Sequence, residues 1–167
     1  MICTFLQLRT LLTGKILIGI LFAGNILFMA FASARAETVI AHANVVWEMT
    51  DVVVQEDTSL CWKVEKGDVW SFNPKLFPNG HTADGIPINA LKDYVQPGQP
   101  IGKLFGRIGD YGRIFPMGIS GSIRILPSED GEFLYLSMND DIIGLYGKGF
   151  KDNKGELIVK INQIKEK

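Results

Sequence analysis

What most constrains this chain is the spacing of its apolar residues, which alternate with polar ones in short runs after the N-terminal segment. In "ELIVKINQI" (residues 156–164), Leu157, Val159 and Ile161 face one way while Ile158, Lys160 and Asn162 face the other. In "GSIRIL" (121–126), Ile123 and Ile125 oppose Ser122 and Arg124. Successive side chains of a strand point to opposite faces, so a period of two marks half-buried strands. "VIAHANVVW", "DVVVQ", "SLCWKVE", "DVWSF", "KLFGRI" and "EFLYLSM" are runs of similar length, punctuated by "KGD", "NPKLFPNG", "QPGQP", "GDYG" and "EDG". Past residue 36 no window holds a period of 3.6 over ten residues, and "INALKDYVQPG" (88–98) allows one helical turn at most. Many short strands with regular turn signals predict an all-β fold, an antiparallel sandwich or barrel.

The N-terminal segment is different in kind. Residues 1–36 carry Arg9 and Lys15, no acidic residue, the run "ILIGILFAGNILFMAFA" and then Ala34-Arg35-Ala36 before Glu37. A basic start, an apolar stretch and an A-x-A site are the marks of an export signal, expected as a signal helix. An uncleaved anchor is the other reading, because the apolar run approaches the length that spans a bilayer. Both place residues 37–167 outside the cytoplasm, in the periplasm or secreted, as one domain on length. Arg9, Lys15 and Arg35 lie in the leader, which leaves 14 of the 17 Lys and Arg against 18 Asp and Glu, a net charge of −4. That balance argues against a nucleic-acid partner, which calls for a basic face.

Familiar enzyme chemistry finds no support. His42 and His81 are the only histidines and Cys61 the only cysteine beyond the leader, too few for an ordinary zinc centre. Cys61, within "SLCWKV", reads as a small buried hydrophobe. "GISGS" (118–122) lacks the second glycine of a nucleophile elbow and reads as a turn. "GKLFGRIGDYG" lacks the spacing of a phosphate cradle. Trp47, Trp62 and Trp70 read as packing residues, without assignment to a ligand.

The stretch "SMNDDIIGLYGKGFKDNKGEL" (137–157) is the most informative. It is longer than the two to five residues of an ordinary hairpin loop, and its ends carry Asn139, Asp140, Asp141, Asp152 and Asn153. If the flanking strands pair, those ends meet and their oxygens converge. Calcium takes 6–8 such oxygens. A solvated loop is the alternative, since Asp and Asn hydrogen-bond their own backbone in turns. The residues 73–102 form a second long loop-rich stretch, with four of the chain's seven prolines between Pro74 and Pro97. A loop of that length in a compact domain commonly forms a binding surface.

Several segments resemble one family in order. They are Trp47-x-x-Thr50-x-Val52-x-Val54, "KGD" (66–68), "SFNP" (71–74), "GRIGDYGRIFPMG" (106–118), "DGEFLYLSMND" (130–140) and "DNKGELIVKI" (152–161). The family is that of the calcium-dependent galactophilic lectin of pseudomonads and its extracytoplasmic relatives, and the resemblance spans about residues 44–161. It implies a small jelly-roll-like β-sandwich with one calcium that shapes the site and takes two sugar hydroxyls. On this chain, Asp140 matches the family's bidentate carboxylate, Asp152 and Asn153 its adjacent pair of side-chain ligands, and Phe72 a backbone-carbonyl ligand. A further carbonyl is expected from the turn after Asp141.

Two departures bear on the sugar. The span from Asp140 to Asp152 is several residues longer than in the galactose-binding member, and "PNGHTADG" supplies His81 at a different offset from that member's selecting histidine. Loop groups at His81 and Asp84 are expected to orient the sugar. The resemblance therefore implies a noncatalytic Ca²⁺-dependent carbohydrate-binding domain, for galactose or another glycan, with its oligomeric state open. The alternative is a structural or protein-interaction sandwich of the same fold that has lost sugar binding.

Overall fold

The computed structural model describes residues 36–166. The signal helix and its cleavage lie outside the described residues. The strands among the described residues are β1 (Glu37–His42), β2 (Glu48–Val53), β3 (Thr58–Val64), β4 (Trp70–Ser71), β5 (Leu104–Ile108), β6 (Ile114–Pro116), β7 (Ser120–Arg124), β8 (Phe133–Met138) and β9 (Lys154–Lys165). They form two antiparallel sheets. One runs β1-β9-β3-β7, with β4 also paired to β9, and the other runs β2-β8-β5-β6. The domain is an all-β sandwich, as the alternation predicts.

The core lies between the sheets. Leu60, Trp62 and Val64 of β3 and Leu157, Val159 and Ile161 of β9 are buried in one cluster with Leu104, Ile108, Leu134, Leu136 and Met138 of the other sheet. The residues of β9 that the period-two pattern turns inward are thus the ones that pack. Burying a side chain of this size stabilises the fold by about 1.5–3 kcal/mol. Trp62 and Trp70 join the core, and each buried indole N–H finds a carbonyl: Met117 at 3.1 Å and Gly102 at 2.9 Å. Trp47 is half-buried beneath the Arg107 guanidinium, 4.5 Å from its ring centre.

The structure corrects two local expectations and part of a third. The strands flanking the 137–157 stretch do not pair: β8 is bordered by β2 and β5, and β9 by β1 and β3, in opposite sheets. The connection crosses the sandwich, which explains why it is longer than a hairpin loop. Residues 88–98 form no helical turn and are held by isolated bridges, Asn89 to Pro100 and Tyr94 to Asp141. Three of the five residues of "GISGS" are strand, since β7 begins at Ser120.

Candidate functional site

The crossing loop and the 73–102 stretch meet at one end of the sandwich, around a recess of about 60 Å³. Its lining includes Phe72, Tyr94, Asp140, Tyr146 and Asp152. Two pieces of backbone build it. Past the end of β8, the Asn139 N–H donates to the Lys103 carbonyl at 2.8 Å and its carbonyl accepts from Gly102 N–H at 2.8 Å. The Val95 N–H then donates to the Asp140 carbonyl at 3.2 Å, which fixes where the Asp140 side chain leaves the chain. On the other side, β4 pairs with the start of β9, Trp70 opposite Gly155 and Ser71 opposite Lys154. Continued by one residue, that register sets Phe72 across from Asn153.

The five oxygen-bearing side chains of the loop divide by what they are already bonded to. Asn139 is fully buried. Its Oδ1 accepts from Gln96 N–H at 2.8 Å, and its Nδ2 donates to the Gln96, Gln99 and Pro100 carbonyls. It clamps the proline-rich loop to β8. Asp141 is consumed by its own loop: Oδ1 accepts from Ile143 and Gly144 N–H at 3.1 and 2.9 Å, and Oδ2 from Tyr146 N–H at 2.6 Å.

The other three retain capacity. Asp140 is 4 % exposed; its Oδ1 accepts from Asp141 N–H at 2.8 Å, whereas its Oδ2 is buried without a partner. Asn153 donates through Nδ2 to the Ala43 carbonyl at 3.0 Å and leaves its own Oδ1 buried and unpartnered. Asp152 is half-buried at the recess. Burial pushes the Asp140 carboxyl above the ordinary carboxylate range. The Asp141 amide and the Asn153 side chain oppose that shift, and the Asp141 and Asp152 carboxylates add to it. An ionised carboxylate there is short of positive charge.

His81 and Asp84 have other work. His81 is buried with its ring against Phe72 and Phe77, at centroid distances of 5.3 and 6.4 Å. Its Nε2 accepts from Phe72 N–H at 3.4 Å while Nδ1 faces the Thr82 carbonyl at 3.2 Å. A carbonyl can only accept and an amide N–H only donate, so these two neighbours select the neutral tautomer protonated on Nδ1. His81 thus holds the Phe72 backbone from behind and does not line the recess. Gly102 at φ +77° lets that ring fit, because a Cβ there would overlap it. Asp84 accepts from Ile119 N–H at 3.1 Å and pairs in a bridge with Lys103, away from the recess. The structure brings Phe72, Asp140, Asp152 and Asn153 together and leaves Asp84 out.

Tyr94 and Tyr146 are recess residues that sequence reasoning missed. Their rings stack at 6.1 Å. Burial, followed by the Asp140 and Asp141 carboxylates, raises the Tyr94 hydroxyl above its ordinary value, so it stays a donor. The only sequence signal for them was the aromatic in "DYVQPG" and in "LYG".

Among the described residues no group of three or more His, Cys, Asp or Glu side chains is arranged to hold a metal. Three carboxylates, Asp140, Asp141 and Asp152, line the recess instead, and Asn153 adjoins Asp140. That all-oxygen set suits a hard cation such as calcium, and two of its oxygens are buried and unsatisfied.

No family model and no curated protein matches the chain. Among solved structures, the N-terminal domain of EclA, described as a PllA-like lectin, is similar. It shares 22% identity over 76% of this chain and 95% of that one, with a TM-score of 0.48.

Proposed function

We propose that this chain is an exported, noncatalytic, calcium-dependent carbohydrate-binding domain, with its site at the Asp140–Asp152 recess. The observation that carries the reading is the pair of buried, unpartnered oxygens, Asp140 Oδ2 and Asn153 Oδ1, in side chains expected to be ligands. Asp140, Asp152 and Asn153 would hold the ion through side-chain oxygens and Phe72 through its carbonyl. Once bound, the cation supplies positive charge and exchangeable positions for sugar hydroxyls. The chain's own residues do the rest. Asn139 and His81 keep the two walls in place, Asp141 holds the loop over the recess, and the Tyr94 hydroxyl offers a donor at the rim. A few fixed polar groups of this kind orient a small ligand.

Isothermal titration with calcium, followed by a glycan array with and without chelator, tests both halves. Failure of the wild-type protein to bind calcium ends the proposal. The second reading, a protein-interaction sandwich without sugar binding, draws on the exposed Ile142, Ile143, Leu145 and Tyr146. A calcium-dependent rise in melting temperature that vanishes in Asp140→Ala, with no glycan signal, favours it.

A further inference from the structure

The crossing loop has a second face. Beside the recess, and sharing Gly147 and Lys148 with its lining, lies an open groove of about 520 Å³. Val46, Ile142, Ile143 and Phe150 form its apolar walls, Lys148 and Lys151 also line it, and no acidic residue does. Neither lysine is ion-paired among the described residues. The patch is therefore cationic in a domain expected to be acidic overall.

The apolar display is not a floppy tip. Ile143 and Leu145 are 65% and 61% exposed, yet the loop carrying them is fastened by the three N–H bonds to Asp141 and by the buried Phe150. Gly149 at φ +54° lets the loop close back on the Asp141 carbonyl, where a Cβ would collide. Exposed apolar side chains grouped on one fastened loop, here Ile142, Ile143 and Leu145, are candidates for an interaction site. Fixing that surface beforehand removes part of the ordering penalty of binding.

We infer that this groove is a subsite for an anionic amphiphile: the apolar, acid-bearing aglycone of a glycoside whose sugar sits in the recess. The glycoside half rests on the lectin reading above; the groove chemistry does not. The groove is concave and of the size of small-molecule sites, about 300–1,000 Å³, which favours a single ligand chain over a bilayer surface. Its apolar walls take the hydrocarbon, and the two lysines meet the acid.

The test uses octyl phosphate as the probe, with inorganic phosphate and octanol as its separated halves, titrated calorimetrically into the full chain with calcium and with chelator. Octyl phosphate should bind at least tenfold more tightly than either half, equally under both conditions. Ile143→Ser and Lys151→Glu, both exposed positions, should each weaken it at least fivefold while melting like wild type. Equal affinity in wild type and both variants overturns the inference. So does adsorption to phosphatidylglycerol vesicles without binding of monomeric octyl phosphate, which makes the loop a membrane contact. A calcium titration run alongside separates the two readings: loss of calcium binding with octyl phosphate binding intact removes the lectin proposal and leaves the groove site.

Discussion

Replacing Asp140 by Asn should stabilise the metal-free protein and abolish its response to calcium. In the native state one carboxylate oxygen accepts from Asp141 N–H, and the other is buried with nothing to accept from. An unsatisfied buried polar group costs about 1–3 kcal/mol. Asparagine keeps the first acceptor and places an NH₂ where the orphaned oxygen was, beside Asn153, whose Oδ1 lacks a donor. A gain of about 1–2 kcal/mol is expected. For a domain of the 131 described residues, about 3–5 °C accompanies each kcal/mol, so the variant should melt about 3–10 °C higher in chelator. Calcium at a hundredfold excess over Kd stabilises a binding protein by about 2.7 kcal/mol. The order of the two melting curves should therefore reverse when calcium is added. The pH dependence has a matching sign. Burial raises the Asp140 carboxyl, so the native state binds its proton more tightly than the unfolded chain. In chelator, wild-type stability should fall as pH rises from about the ordinary value of 3.8, and the variant should lack that part of the slope. A scan of melting temperature by circular dichroism reads all of this. If Asp140→Asn melts lower than wild type in chelator, the orphaned oxygen is not a liability; if calcium raises both proteins equally, Asp140 is not a ligand.

Three further outcomes follow from the same geometry. Asn139→Ala removes one acceptor and an NH₂ group that donates to three carbonyls from a fully buried position; it should cost about 2–4 kcal/mol in urea unfolding and speed amide exchange at Gln96. Burial lowers the His81 imidazole, so the unfolded chain takes up its proton first. Stability in chelator should decline as pH falls through about 6.5, and a profile unchanged in His81→Gln would show the slope belongs elsewhere. Gly102→Ala sets a methyl into the His81 ring at φ +77°; a loss of about 2 kcal/mol or more is expected, and a neutral melt would mean the ring is free to move.

Alternation along the chain made the strands legible, because burial on one face imposes a period of two whatever the sheet. In β9 the inward set Leu157, Val159 and Ile161 is the one that packs. Pairing was not legible by the same means. The pattern of β8 says which side chains are buried but not which strands border them, and its neighbours proved to be β2 and β5. The two-residue β4 lies inside the run "DVWSF", but nothing in that run tells that its partner is the start of β9, the pairing that sets Phe72 across from Asn153. In the recess, residue type alone could not separate Asn139 and Asp141 from Asp140 and Asn153. What separates them is the supply of backbone N–H groups: the loop turns three toward Asp141 and only one toward Asp140.

That uneven supply is the strongest reason to look for a ligand. Folded proteins leave few buried polar side-chain atoms without a partner, and each exception calls for a cause. Among the described residues there are three such atoms: Arg107 Nε, Asp140 Oδ2 and Asn153 Oδ1. The first has a local account, since its guanidinium is stacked between Trp47 and Tyr135 at 4.5 and 4.8 Å and gains cation–π attraction there. The other two sit in neighbouring side chains, and with Asp140 ionised both are acceptors, so the Asn153 side chain only partly offsets the burial of the carboxylate. Asp152 brings only another negative charge to the same recess. A crossing loop that spends three N–H groups on Asp141 has donors to give, and its fold gives Asp140 only one. What both oxygens lack is a donor or a positive charge, and the cation of the proposed function would satisfy them together.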